Sequence, residues 1–176
     1  MPLPWTDIFF YAVDLSTFST IWYWLALAVT WAVACYWVLG VPFDILIYGW
    51  RYGAKAAADI EKMVDVNSRR LIMIMDWAGP WIVGTIAFVL SALAVMGFIY
   101  RLEFAQGLFL LSFPMIFVGM INLRAAHRFQ KTRPMGKELA RHLFRLRIWI
   151  QCIAAVSIFF TASYGMYFNL TVPVGF

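Results

Sequence analysis

Charged residues fall in blocks along this chain, and four long stretches between the blocks carry none: residues 15–43, 77–100, 104–123 and 148–176. A bilayer core of about 30 Å needs roughly 20 helical residues, so each stretch is long enough to span. The pattern predicts an all-α integral membrane protein, one membrane domain over 1–176. Its four transmembrane helices fall at about 20–41, 75–100, 104–123 and 146–168. The alternation of apolar and polar positions that a membrane β-barrel requires is missing.

The connections are equally readable. Residues 5–14, WTDIFFYAVD, combine aromatic and acidic side chains suited to the headgroup layer and predict an N-terminal interfacial segment. Gly40-Val41-Pro42 breaks or bends the first span. Beyond it, FDILIYGWRYGAKAAADIEKMV reads as a cytoplasmic amphipathic helix along the inner surface. The second apolar segment, 71–100, is about 45 Å of helix, so it must tilt, protrude or break at Gly79-Pro80. Pro114 predicts a kink in the third span. Ser157, Thr161 and Gly165, with Ala154 on the same face, and Ala28 with Ala32, form small-residue rows that permit close helix approach.

Composition agrees with a membrane protein: 64% of residues are hydrophobic and 13% charged, against about 25% charged in a soluble domain. Charge then sets the expected orientation. Loop 43–70 carries Arg51, Lys55, Lys62, Arg69 and Arg70. Loop 124–147 carries Arg124, Arg128, Lys131, Arg133, Lys137, Arg141, Arg145 and Arg147, and Arg101 alone lies on the other side. The positive-inside rule puts both loops in the cytoplasm and both termini outside.

Spacing resolves loop 124–147 into two helix extensions turning near Thr132–Gly136. Arg124, His127, Arg128 and Lys131 share one face, and Lys137, Arg141 and Arg145 another, beside an apolar row of Leu139, Leu143, Leu146 and Ile150. Arg124, Arg128, Lys131, Lys137, Arg141 and Arg145 are therefore the expected contacts for anionic lipids or an acidic partner. Salt bridges to Asp59, Glu61 and Asp65 are the simpler use of the same charges. Nucleic acid is not an expected ligand, because the basic face lacks stacking aromatics.

Candidate chemistry is sparse. Asp44, Asp76, Asn122 and Gln151 are expected at one depth near the inner boundary, as a polar layer or an ion site. His127 and His142 flank the hairpin turn, with Glu138 one turn from His142. A structural zinc normally takes four ligands. Trp31, Trp37 and Trp77 offer surfaces for a ring to stack on. Cys35 and Cys152 lie singly within spans. With no Walker loop, GxSxG, HExxH or cysteine cluster in the sequence, no catalytic residue, metal or cofactor is expected.

The stretches DLSTFSTIWYWLALAVTW (14–31), WVLGVPFD (37–44) and EFAQGLFLLSFP (103–114) resemble a family of small polytopic bacterial membrane proteins. That family is labelled "component of the SUF iron–sulfur assembly complex". The resemblance covers most of the chain and implies a bacterial inner membrane. It brings no site residues, since a cluster takes cysteine ligands and the two cysteines here are far apart. The expected function is a non-catalytic accessory, scaffolding or assembly subunit of a larger inner-membrane complex, with other membrane subunits as partners. The small-residue rows are also compatible with a homo-oligomer. The alternative is a small homo-oligomeric channel or carrier with Asp44 and Asp76 in an inner vestibule.

Overall fold

The computed structural model describes residues 21–42, 44 and 54–171, and within the last stretch the side chains of 58–168 and 170. The expected interfacial segment at 5–14, and the first part of the expected surface helix, lie outside the described residues.

Four α-helices occur among the described residues: α1 (Ile21–Tyr36), α2 (Ala54–Ala94), α3 (Glu103–Thr132) and α4 (Gly136–Thr171). A π-helical turn, Val95–Ile99, extends α2. Three helices are long and apolar enough to cross a membrane: Ala58–Ile99, Glu103–Thr132 and Gly136–Phe168. Among the described residues, α1 is apolar and spans 16 residues, about 24 Å.

The first span departs from expectation at its end. The helix stops at Tyr36, and β1 (Trp37–Val38) pairs antiparallel with β2 (Val41–Pro42), Val38 opposite Val41. Leu39 and Gly40 form the two-residue turn with φ of 51° and 72°. Positive φ at both positions is what a type I′ hairpin demands. Gly40 supplies it without strain, and Asn67 donates from Nδ2 to its carbonyl at 3.2 Å. Val38, Leu39 and Val41 are buried, so this hairpin is a wedge at the bundle end and the fold is not purely helical.

The inner-surface helix is also corrected. From Ala54 on it is the first part of α2, which runs 41 residues, straight through Pro80, for about 60 Å. No glycine or proline falls between residues 54 and 78 to stop it. Ile60, Val64 and Ser68 are buried at four-residue spacing on a single stripe, so this segment packs as helix against its neighbours. The excess length protrudes past the apolar stretch rather than breaking.

The helices α3 and α4 are joined by Arg133–Met135. Arg133 closes α3 in the left-handed region at φ 40°, its N–H donating to the Phe129 carbonyl at 2.8 Å. The other end of the bundle has a turn between Ile99 and Glu103, with Arg101 at φ 55°. Tyr23 donates to the Gly107 carbonyl at that end, while Leu39 reaches the α3–α4 groove at the opposite one. Thus α1 runs parallel to α3, and α2 and α4 run the other way.

Most of the buried core sits toward the basic end. Ile60 and Val64 of α2, Ala126 and Phe129 of α3, and Leu139, Leu143, Leu146 and Ile150 of α4 close on one another, joined by Leu27, Trp31 and the hairpin. Polar contacts lock the same end. The Gly136 N–H donates to the Glu61 carboxylate at 2.7 Å, which places a negative charge at the N-terminus of α4, where the helix dipole favours it. Gln130 donates to Asp65 at 2.9 Å, and Arg69 pairs with Asp65 at 2.7 Å. Two acidic residues of α2, Glu61 and Asp65, therefore face the α3–α4 hairpin. Glu61 and Asp65 are used by a backbone amide, a glutamine and an arginine of their own helix, not by the hairpin's basic residues.

Candidate functional site

The basic hairpin builds a groove of about 210 Å³ between α3 and α4. Its floor is apolar, from Leu39, Phe129, Leu139, Leu143 and Leu146, with Ile121 and Trp149 at the end nearer the apolar stretches. Its rim carries three arginines, Arg124 and Arg128 from α3 and Arg145 from α4, with His142 beside them. The reason is helical spacing. Ile121, Ala125, Phe129 and Thr132 turn one stripe of α3 inward, and Arg124 and Arg128 flank it. Among the described residues, no carboxylate pairs with Arg124, Arg128 or Arg145. His142 lies 3.8 Å from Glu138.

The six basic residues expected to act together do not share one surface. Three line this groove. Lys131 lines a second groove between α2 and α3, about 710 Å³, together with Arg69, Asp76, Trp77, His127 and Gln130. Lys137 and Arg141 are exposed and line neither.

The expected polar layer is likewise dispersed. Asp76 is exposed in the second groove, and Pro80, lacking an N–H, leaves the Asp76 carbonyl without its helical donor. Asn122 lines a third recess of about 330 Å³ with Trp37, Asn67 and Arg70. Gln151 is exposed. Asp44 accepts from the Tyr36 hydroxyl at 2.8 Å. Asp44 and Asp76 line no common cavity among the described residues. His127 and His142 do not meet either, since they line different grooves. Of the three tryptophans, Trp31 is buried in the core while Trp37 and Trp77 are exposed.

The small-residue rows separate in the same way. Ala154, Ser157, Thr161 and Gly165 of α4 are buried within the bundle, so that row serves the chain's own packing. Ala28 and Ala32 of α1 are exposed, and α1 packs through Leu27 and Trp31 instead.

The helix α2 has the barest face. Only 6% of its most apolar stretch is buried, against 22% and 28% in α3 and α4. Trp77, Trp81 and Phe88 are 87%, 81% and 74% exposed. Gly84 lies between Trp81 and Phe88 on this face, and a Cβ built there meets nothing within 4 Å. The sequence carries little signal for this notch, because Gly84 belongs to no small-xxx-small row as regular as that of α4.

At the far end, three helices meet at residues 105–107. Gln106 is buried and donates from Nε2 to the Gly97 carbonyl at 2.7 Å. The π-turn shifts hydrogen bonding to the fifth residue, as in Tyr100 N–H to Val95 carbonyl, leaving Gly97 free to accept. A Cβ on Gly97 would lie 3.0 Å from the Gln106 backbone nitrogen. A lone Gln beside a glycine is the faint sequence signal for this junction. No family model, no curated protein and no solved structure matches the chain.

Proposed function

We propose that this chain is a non-catalytic accessory or assembly subunit of a larger bacterial inner-membrane complex, docked to a neighbouring subunit's helix through α2. The observation that carries this reading is the near-complete outward exposure of α2 over its apolar stretch. Lipid also covers apolar faces, but it does not need a notch. Gly84, flanked by Trp81 and Phe88 with open space around it, provides the close backbone approach that membrane helix pairs use. The rest of the chain supports the docking face. The hairpin wedge, the Glu61–Gly136 contact and the Asp65–Gln130 contact fix the basic end of α2 against α3 and α4.

Extraction in mild detergent followed by native electrophoresis tests this. The expected result is that the chain migrates with a second membrane protein and that Gly84→Leu releases it without destabilising the chain, since a Cβ there meets no atom of its own fold and leucine favours the helix more than glycine does. A lone chain migrating without a partner, in the wild type, contradicts the reading.

A further inference from the structure

The groove between α3 and α4 joins two surfaces of different chemistry at one membrane level. The uncharged stretches end at Leu123 and resume at Ile148, so Arg124 and Arg145 stand within a turn of that boundary and Arg128 one turn beyond Arg124. Ile121 and Trp149, on the same groove, lie on the apolar side of it.

We propose that this groove holds one anionic phospholipid, its phosphate among Arg124, Arg128 and Arg145 and one acyl chain leaving past Ile121 and Trp149. Charge complementarity carries the assignment. Three guanidinium groups share one rim and no described carboxylate pairs with them, and a guanidinium fork matches phosphate oxygens in two-point hydrogen bonds. The apolar floor of Leu39, Phe129 and Leu146 suits a hydrocarbon chain, and a headgroup with no chain would leave it wet. An acidic helix is the competing occupant, but the groove passes from arginines at the charged boundary to Ile121 and Trp149 on its apolar side, the order in which a phospholipid presents its phosphate and its chain. The second groove makes the contrast: Asp76 lies among its cations and Arg69 is already paired to Asp65, so it is a poorer anion site.

The test uses the full chain in neutral detergent, titrated with phosphatidylglycerol or phosphatidylcholine, with bound lipids counted by native mass spectrometry. Wild type retains one phosphatidylglycerol in preference to phosphatidylcholine. The combined Arg124→Gln, Arg128→Gln, Arg145→Gln variant binds it about 100-fold more weakly, at roughly fivefold per basic residue. A charge-matched control, Lys131→Gln, Lys137→Gln, Arg141→Gln, removes equal charge outside the groove and keeps the lipid. Should the groove triple fail to insert, Arg145→Gln alone is read for a fivefold loss. Equal loss in both triples, no preference over phosphatidylcholine, or full displacement by equimolar inorganic phosphate would overturn the proposal. So would a groove triple that keeps the lipid and sheds a co-purifying acidic protein.

Discussion

The two ends of the bundle are built on different terms. Toward the basic end, α2, α3 and α4 bury matching apolar rows, with Leu139 3% and Leu143 2% exposed, and polar contacts cross between helices. Farther along the same helices, Trp81 and Phe88 of α2 and Phe159 and Phe160 of α4 point outward. Cohesion there depends on an aromatic chain, Phe98 against Phe109 and Tyr164 and Phe109 on to Phe113, and on the Gln106–Gly97 bond. The difference follows from solvent. Where water surrounds the helices, burying apolar surface holds them together. Where lipid does, apolar surface gains little by turning inward, and small residues, close packing and hydrogen bonds decide contacts.

This contrast can be broken from either end, with unfolding followed in detergent by circular dichroism. Leu143→Ala has the largest expected effect, about 2–4 kcal/mol, because it opens a cavity in the water-facing core. Gly97→Val comes next at about 1–3 kcal/mol, since its Cβ strikes the Gln106 backbone, which no rotamer change relieves. Glu61→Gln should cost about 1 kcal/mol by removing a charge from the α4 N-terminus while keeping a hydrogen-bond acceptor. Phe88→Leu should cost less than about 0.5 kcal/mol, as it touches little of its own chain. If Phe88→Leu proved as costly as Leu143→Ala, the distinction between the ends would fail.

The sequence was informative where a single period repeats. The row Leu139, Leu143, Leu146, Ile150 reads as one helical face and is buried as such, and the turn falls at Arg133–Met135. It was misleading where two adjacent signals had to be ranked. Gly40-Val41-Pro42 announces a break, but only the positive φ of Leu39 makes the break a hairpin, and leucine rarely takes that conformation. Gly79-Pro80 leaves tilting, protrusion and breaking open, and the helix runs through it because a membrane helix can tolerate one missing donor. The candidate groove was half legible. Arg124, Arg128 and Arg145 stand out by charge, and His142 and Trp149 lie one turn from Arg145 on α4, whereas Leu39 joins them only through packing of a distant segment. The Glu61–Gly136 contact spans 75 residues and has no local signature.

In the proposed function, α2 turns its bare face to another protein helix while the basic end closes on its own chain. A photo-crosslinking benzophenone side chain placed at Phe88, irradiated in intact membranes, tests this most directly, with the same group at Phe159 of α4 for comparison. The expected result is a discrete protein adduct of higher mass from Phe88 and lipid adducts from Phe159. Lipid adducts alone from Phe88 would contradict it.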